Sequence, residues 1–293
     1  MKKKIRFIIN PKSGSHNKLH YVQWIESGID HSIYDADISF TEAPLHATVL
    51  SKEAAGQNYF AVVAVGGDGS VNETASGLMG SDTALGIIPT GSGNGMARHL
   101  KIPIDFKRAI DLLNFSRSDR IDTLRVNERF CIGTFGIGFD AHIAHLFAEA
   151  GTRGYSTYVK LVLSEFYKYP SHQYKVVIDG KKTELNSFLF TFANSSQFGN
   201  NAVIAPFANV KDGIIDISIV RKFPAIMAPN LIFRLMNNNL HKSRYYTGMS
   251  GKSIQIENKT GIKGHIDGEP VMLYGDIDVQ IFPLSINVLV AKK

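Results

Sequence analysis

The chain has 293 residues, of which 44% are hydrophobic and 20% are charged. This is a globular composition that excludes a disordered chain, and at about 150 residues per domain the length suggests two domains. Lysine and arginine outnumber aspartate and glutamate by 32 to 26, and the net charge of +6 suits partners that carry phosphate or an anionic surface. The single cysteine, Cys131, excludes an intrachain disulfide framework and a cysteine-based zinc site, and it indicates a reducing compartment.

The N-terminal sequence MKKKIRF carries charge like a signal peptide, but Arg6, Asn10 and Pro11 interrupt the apolar stretch that such a peptide needs. No apolar run approaches the ~18 residues needed to span a bilayer. We therefore expect a cytoplasmic protein. Residues 2–4 are interpreted either as a solvated terminus or as a weak patch for anionic lipid headgroups.

The first third of the chain alternates strands, glycine loops and helices. Residues 5–10 form a short strand that ends in NPKSG, and residues 59–65 are an almost unbroken apolar run, typical of a strand buried on both faces. That run ends in GGDG before a helix with Ser70 near its start. Residues 84–88 form a further strand that ends in PTGSGNG, followed by a helix from Met96. The repetition predicts an open α/β sheet.

After about Ile121 the pattern changes to short segments rich in β-branched and aromatic residues, separated by turn clusters. This spacing predicts an antiparallel sheet, with strands at 130–138, 174–178, 187–193 and 213–220, and more in 253–290. Two helices are expected to interrupt it, at 141–149 and 155–169. We expect the two domains to meet closely and to leave a cleft between them.

The strongest local signal is the loop Gly66-Gly67-Asp68-Gly69-Ser70 between a buried strand and a helix. Glycines let the backbone approach phosphate oxygens and allow positive φ, and a helix N-terminus offers unpaired N–H groups to a polyphosphate. An acid among phosphates must hold a divalent cation or accept a proton. The alternative is a tight turn with a capping aspartate.

Other signatures are absent from the sequence. There is no GxxxxGK[ST] P-loop, no protein-kinase HRD or DFG set, no HExxH and no GxSxG. The stretch from Gly91 to Met96 resembles a dinucleotide fingerprint, but Met96 stands where the last glycine belongs. The ten histidines are scattered, and we interpret them as surface or core residues.

Four motifs, NPKSG, GGDGSVNE, PTGSGNGMAR and HIDGEP, occur in this order and together resemble the diacylglycerol and sphingosine lipid-kinase family. GGDG alone is shared with NAD kinases and phosphofructokinases, whereas Asn72-Glu73 and the late DGEP make the match specific. The resemblance implies an open α/β nucleotide-binding domain, residues 1–121, which the C-terminal strand at about 280–293 joins. It also implies an antiparallel β-sandwich lipid-binding domain, residues 122–279, with ATP and Mg²⁺ in the cleft between the two.

The resemblance also implies site residues. Those expected at the nucleotide come from NPKSG, FTEAPLHA and the two glycine loops: Asn10, Ser13, Thr41, Gly66, Gly67, Asp68, Gly69, Ser70, Asn72, Glu73 and Thr90. Gly91 and Asn94 are expected at the acceptor substrate. In one respect the chain departs from the bacterial diacylglycerol kinases, because Gly95 stands where they usually carry an acid. The resulting GSGN is closer to the eukaryotic sphingosine and ceramide kinases.

A kinase that acts on an alcohol needs a proton acceptor and a metal that neutralises the phosphates. Family members place the base in GGDG or in DGE, so we expect Asp267 or Glu269 to be the base, with Asp68 as the rival and as a metal contact. From the residues alone, Asp-Gly is also typical of a β-turn.

NVKDGIID matches a loop that holds a structural Mg²⁺ in bacterial diacylglycerol kinases. The implied ligands are the Asp212 side chain and the carbonyls of Asn209 and Ile214. Few protein ligands leave room for water, as Mg²⁺ prefers. The alternative is a plain hairpin turn.

We therefore expect an ATP-dependent kinase that phosphorylates a diacylglycerol-like lipid to a phospholipid such as phosphatidic acid. The alternatives are a kinase of sphingoid bases or other long-chain alcohols, an NAD kinase, and a nucleotide or lipid sensor without catalysis. The expected partners are ATP, the lipid and, transiently, the inner membrane surface, with no nucleic acid. A homodimer is left open. Aromatic residues of the two interrupting helices are expected either to contact lipid or to pack in the core: Phe147, Tyr155, Tyr158, Phe166, Tyr167 and Tyr169.

Overall fold

The computed structural model describes residues 2–14, 18–150 and 155–292, without the side chains of residues 18, 155 and 156. The chain divides into two compact units. The first comprises residues 1–122 and 283–293, and the second comprises residues 123–282.

The first unit is built on a parallel sheet. Its strands are β1 (Lys3–Ile9), β2 (Tyr34–Phe40), β3 (Ala61–Gly66), β4 (Ala84–Pro89) and the C-terminal part of the last strand, β16 (Ile277–Ala291). They follow the order β2-β1-β3-β4-β16, and each neighbouring pair is parallel. Every residue of β3 and β4 is buried, as expected when both faces of a parallel sheet are covered.

Five helices accompany this sheet: α1 (Lys18–Gly28), α2 (His46–Gly56), α3 (Asp68–Leu78), α4 (Gly95–His99) and α5 (Phe106–Asn114). α2 packs on α3, and α1 packs on α5. The ring of Tyr21 stacks on that of Phe106, with 4.9 Å between their centroids. A further strand, β5 (Ser116–Val126), leads out of the first unit.

The second unit contains a six-stranded antiparallel sheet with the order β12-β11-β10-β7-β14-β15. These strands are β7 (Thr134–Gly138), β10 (Leu189–Ala193), β11 (Ile215–Val220), β12 (Tyr246–Gly251), β14 (Ile262–Ile266) and β15 (Glu269–Leu273). Other strands of this unit are β6 (Arg129–Cys131), β8 (His172–Ile178), β9 (Lys181–Ser187), β13 (Ser253–Ile256) and the first part of β16. One apolar core joins both groups of strands, with Phe135 and Phe190 from the first and Val176 and Ile254 from the second. The predicted fold class, an open α/β sheet and an antiparallel β unit, is confirmed.

Three helices complete the second unit: α6 (Phe139–Glu149), α7 (Tyr155–Phe166) and α8 (Ala228–Met236). The first two correspond to the predicted helices. The sequence interpretation missed α8, in which a proline lies in the first turn, where its missing N–H costs no helical hydrogen bond. No helix in the described part of the chain is both long and apolar enough to cross a membrane.

Phe166 packs in the core of the second unit, and Lys3 lies on the first strand of the first unit. Phe166 is buried with Phe139 and Phe188, which confirms its alternative as a core residue, whereas Tyr167 is 77% exposed. The side chain of Tyr155 lies outside the described residues. Lys3 belongs to β1 and is exposed, and its ammonium group lies 4.2 Å from the centre of the Phe60 ring.

Candidate functional site

The residues predicted at the nucleotide in the first unit follow the carboxyl ends of four parallel strands. Backbone hydrogen bonds extend the ladder past these ends: Thr41 N donates to Ile9 O at 3.0 Å, Asn10 N donates to Val65 O at 3.1 Å, and Thr90 N donates to Gly66 O at 2.9 Å. The strand order reverses between β1 and β3, and open α/β sheets bind ligands at such a switch point.

The two glycine loops approach each other so closely that side chains are excluded. A Cβ on Gly91 would lie 2.5 Å from the Cα of Gly67, and a Cβ on Gly66 would overlap the Ser70 hydroxyl. None of these three glycines has positive φ. At Gly66, Gly67 and Gly91 the positive φ that glycine allows is therefore not used, and the absence of a Cβ permits the close approach.

Asp68 links the two loops. It is the first residue of α3, and its Oδ1 accepts a hydrogen bond of 2.7 Å from the N–H of Gly95, the first residue of α4. The capping aspartate that was the alternative interpretation is thus present, although Asp68 caps α4 and not its own helix. The N-cap residue of α3 is Gly67, which has no side chain to cap the helix, and a helix N-terminus of this kind can receive phosphate.

Asn94 closes the second loop on itself. Its backbone is left-handed, with φ 53°, and its side-chain amide both accepts from Gly91 N at 3.1 Å and donates to Gly91 O at 2.7 Å. The observed contact between the predicted substrate residues Gly91 and Asn94 is therefore with each other. A contact of either residue with a substrate stays a prediction.

Polar side chains from the other strand ends complete this cluster. The hydroxyls of Ser13 and Thr90 are 3.0 Å apart, and the Asn10 amide donates to the Ser70 hydroxyl at 3.2 Å. The structure thus brings the residues predicted from NPKSG into hydrogen-bond contact with those from both glycine loops. Oxygen and amide groups of this kind can bind the phosphates and ribose of a nucleotide.

Glu73 lies farther along α3 and supports a neighbouring helix. Its Oε2 accepts from Ala47 N at 3.3 Å, and its carbonyl accepts from the Thr48 hydroxyl at 2.8 Å. The N-cap of α2, Leu45, makes no side-chain cap, so Glu73 supplies an acceptor for the first turn of that helix. The observed contacts of Glu73 are with α2, and a contribution of Glu73 to nucleotide binding stays a prediction.

In the second unit, Asp267 and Gly268 form the two-residue turn between β14 and β15. Both have positive φ, 50° and 87°, and they are flanked by the pair Ile266 and Glu269, as in a type I′ hairpin. The turn interpretation of DGE is therefore right as far as the backbone is concerned. It leaves open what the two carboxylates do.

The Asp267 carboxylate is held by backbone donors. Ile132 N donates to Oδ2 at 2.9 Å, while Gly133 N at 2.8 Å and Thr134 N at 2.9 Å donate to Oδ1. These bonds explain why the predicted strand 130–138 is in fact two strands, β6 and β7, because the backbone between them turns its N–H groups to the carboxylate. Burial, and secondly the charge of Asp267, raises the pKa of the Cys131 thiol, which is fully buried.

Glu269 differs from both aspartates. It is the exposed first residue of β15, and its carboxylate forms no hydrogen bond or ion pair with any described residue. A proton acceptor must have a lone pair directed at its substrate. Of the three carboxylates considered for that role, Glu269 alone is left without such a partner in the part of the chain that the structure describes.

A buried pair that the sequence interpretation missed lies next to this turn. His265 Nε2 is 3.1 Å from Asp140 Oδ2, and both side chains are almost fully buried. The N–H of Gly268 donates to His265 Nδ1 over 3.4 Å, which assigns the ring proton to Nε2. Thr191 donates to the same Asp140 oxygen at 3.1 Å. The available signal was the position of His265 in HIDGEP.

The loop predicted to hold Mg²⁺ provides only oxygen donors. Asp212 is exposed, and its Oδ1 accepts from Ile214 N at 3.1 Å. Burial, and secondly the charge of Asp212, raises the pKa of Asp216 to about 6, so a cation at this loop would relieve a repulsion. One carboxylate and the carbonyls of Asn209 and Ile214 therefore fit Mg²⁺ with water completing the shell. No described cluster of three or more acidic, histidine or cysteine side chains offers a denser metal site.

Two family matches cover most of the chain. Residues 4–126 match the Diacylglycerol kinase catalytic domain, and residues 133–290 match the YegS C-terminal NAD kinase beta sandwich-like domain. The diacylglycerol kinase of Bacillus subtilis is 30% identical over 236 residues, which is 75% of this chain and 74% of that protein. A diacylglycerol kinase of Staphylococcus aureus is 25% identical over 279 residues, 92% of this chain and 87% of the relative.

The fold is shared with a solved structure. A crystal structure of a diacylglycerol kinase from Bacillus anthracis has a TM-score of 0.73 at 19% identity, and the match covers 98% of this chain and 96% of that one. Both domain matches occur here in one chain, in the order in which the two units were found. This chain therefore belongs to the bacterial lipid kinase family of diacylglycerol kinases and YegS-like proteins.

Proposed function

We propose that this protein transfers the γ-phosphate of ATP to a hydroxyl group of a lipid, with diacylglycerol as acceptor and phosphatidic acid as product. The proposal rests on the family and on one observation above all, the distribution of roles among three carboxylates. Asp68 fixes two glycine loops, Asp267 fixes a turn, and Glu269 is left without a partner among the described residues. A protein that only bound nucleotide would not need the acids of both GGDG and DGE.

The proposed nucleotide site is the cluster at the strand ends of the first unit. The N–H groups of the first turn of α3 would bind phosphate oxygens, because the positive end of a helix dipole favours an anion and the N-cap residue is a glycine. Ser13, Thr90 and Asn10 would orient the nucleotide through their hydroxyl and amide groups. Thr41 follows the end of β2, and Asn72 lies in α3. That either residue contacts the nucleotide directly stays a prediction.

In the proposed reaction, the acceptor oxygen attacks the γ-phosphorus while the bond to the β–γ bridging oxygen breaks. The proton of the hydroxyl passes to Glu269, and ADP is the leaving group. Mg²⁺, when bound, would neutralise charge on the β- and γ-phosphates, with Asp68 as the carboxylate of this chain nearest to the glycine loops. Asp212 with its two carbonyls would hold a second, structural Mg²⁺.

A second acceptor class has an observation in its favour. Gly95 stands where bacterial diacylglycerol kinases usually carry an acid, and its N–H is the partner of Asp68. The loop is thus closer to that of kinases which act on long-chain amino alcohols, so a sphingoid base is the second candidate acceptor.

The test is transfer of radiolabelled γ-phosphate from ATP to a panel of acceptors: diacylglycerol, sphingosine and NAD, followed by organic extraction. We expect label in the organic phase with diacylglycerol. Label in the organic phase with sphingosine alone would establish the second candidate, and label recovered in NADP, after its separation from ATP, would establish an NAD kinase. Nucleotide-dependent thermal stabilisation without ADP release on any acceptor would indicate a sensor.

A further inference from the structure

One segment of the second unit carries charge of a single sign. Residues 217–256, between Asp216 and Glu257, contain no aspartate or glutamate. They contain six basic residues: Arg221, Lys222, Arg234, Lys242, Arg244 and Lys252. The segment includes the helix α8 and the short 3₁₀ turn that precedes it, Ala225–Met227.

An apolar stripe lies exposed on this segment. The exposed fractions are 87% for Ile226, 48% for Ile232, 65% for Phe233 and 39% for Met236. Positions 229, 232, 233 and 236 share one face of a helix, and Pro229, the first of them, is also exposed. Contiguous apolar surface of this kind marks an interaction site more often than singly scattered residues do.

The core of the unit does not need this stripe. The opposite face of α8 is anchored by Leu231, which is buried with Val220 and Leu240. The helix is therefore apolar on two sides, of which one serves the fold. Replacing residues on the outer side should leave packing intact, so the stripe can be tested by mutation.

Cations flank the stripe. Arg221, Lys242 and Arg244 are exposed, and none of them forms an ion pair with an acid of the described chain. Arg234 lies in α8 itself, and its Nε donates to Asn230 at 2.9 Å. Lys222 serves another purpose, because its ammonium donates to the carbonyls of Phe166 and Tyr169.

We propose that α8 and its flanking cations form a docking surface for an anionic lipid bilayer. The apolar side chains would enter the boundary between headgroups and acyl chains, and the cations would contact the headgroups. This inference rests on the proposed function and deepens it, because it names the surface by which the enzyme reaches a lipid acceptor.

Other occupants match the surface less well. A second copy of this chain docked through the same face would place like charges opposite each other, with no acid in the segment to neutralise them. A nucleic acid would neutralise the cations but leave Ile226 and Phe233 in water. An anionic bilayer offers both an apolar layer and negative charge.

The test is sedimentation of the protein with vesicles of phosphatidylcholine, with and without phosphatidylglycerol, in the absence of ATP. We expect binding that requires phosphatidylglycerol and weakens with salt. Ile232→Ser combined with Phe233→Ser should weaken it at least about tenfold, as expected for lost burial of two large side chains. Lys242→Glu combined with Arg244→Glu should abolish the preference for phosphatidylglycerol.

Two controls match these changes. Phe115→Ser removes an exposed phenylalanine of the first unit, and Lys182→Glu reverses an exposed charge on β9. Both controls should bind vesicles like the wild type. Binding of the Ile232 and Phe233 variant equal to wild type would overturn the proposal, as would wild-type protein that ignores vesicles.

Light scattering of the same variants tests whether a second copy of this chain covers the stripe. A wild-type dimer that these substitutions dissociate, with vesicle binding unchanged, would assign the stripe to self-association and overturn the proposal. Because vesicle binding is measured without turnover, it is separable from kinase activity. Protein that binds vesicles but phosphorylates no lipid would refute the proposed function and leave the docking surface standing.

Discussion

The three carboxylates considered for the role of proton acceptor differ in what surrounds them. Asp68 accepts from the backbone of Gly95, and Asp267 accepts from three successive N–H groups, whereas Glu269 has no hydrogen-bond or ion-pair partner among the described residues. The sequence could nominate these acids, because GGDG and DGE occur in one ordered set with NPKSG and PTGSGNGMAR. It could not rank them, since their hydrogen bonds join residues as far apart as Ile132 and Asp267.

Asp267 is expected to act through structure. Asp267→Asn would set an amide group against backbone donors that now face a carboxylate, and we expect a loss of about 2–3 kcal/mol in the free energy of unfolding. Glu269→Gln, one strand position beyond the turn, should leave that free energy unchanged. Urea denaturation of both variants makes the measurement. Equal stability of Asp267→Asn and the wild type would contradict the structural role.

His265 is expected to position the turn that carries Glu269. His265→Phe removes the contacts to Asp140 and Gly268, and we expect kcat to fall between about ten- and a hundredfold, with KM for ATP unchanged. His265→Gln keeps a donor near the Nε2 position and should restore part of kcat.

Thr191→Val is the matched control for that change. It removes another hydrogen bond to the same Asp140 oxygen, so it should cost about 1 kcal/mol of stability without lowering kcat. If Thr191→Val lowered kcat as much as His265→Phe does, the pair of His265 and Asp140 would contribute only to stability, and the positioning role of His265 would be contradicted.

At the scale of elements, the glycine loops work because two backbones meet. The sequence predicted the strand–loop–helix units and the loops themselves. It did not predict that Gly67 and Gly91 would contact each other, since this depends on the pairing of β3 with β4. The break between β6 and β7 was missed for a similar reason, because the carboxylate that causes it lies more than a hundred residues away.

Gly91→Ala tests this contact. A Cβ 2.5 Å from the Gly67 Cα must push the loops apart, and we expect ATP to bind about tenfold more weakly. Gly56→Ala is the control, because the Cβ that it would add meets no atom within 4 Å apart from its chain neighbours and the backbone of its own helix. Titration calorimetry with ATP compares the two. Similar ATP affinity for both variants would refute the close approach as a requirement for binding.

The short helix α4 carries a pH-dependent contribution to stability. Burial lowers the pKa of His99 to about 4, whereas the ordinary value is 6.5. Between these values the unfolded chain binds a proton that the folded chain does not. This contribution is therefore complete above about pH 6.5 and is lost as the pH falls towards 4, by up to about 3 kcal/mol.

His99→Gln should flatten this part of the stability curve. The measurement is urea denaturation of both proteins between about pH 7 and about pH 4.5. The difference between them isolates His99 from the carboxylates, which titrate in both. A variant that retains the full slope would show that burial of His99 is not its cause.

At the scale of the whole chain, the family and the fold class followed from motifs and patterns. Periodicity distinguished a parallel α/β unit from an antiparallel β unit, because strands buried on both faces and strands of a sandwich have different patterns. α8 was not predicted, although Asn230 and Arg234 lie one turn apart on a polar side of this helix and are hydrogen-bonded to each other. The predicted roles of the two units stay predictions.

The central claim is that this chain phosphorylates a lipid hydroxyl with Glu269 as proton acceptor. The most direct measurement is transfer of labelled phosphate from ATP to diacylglycerol by the wild type, by Glu269→Gln and by the control Glu184→Gln, which alters an exposed glutamate on β9. We predict wild-type rates for the control. For Glu269→Gln we predict a loss of at least about a hundredfold in kcat, with ATP affinity unchanged. Transfer by Glu269→Gln at the wild-type rate, or no labelled lipid from the wild type, would contradict the claim.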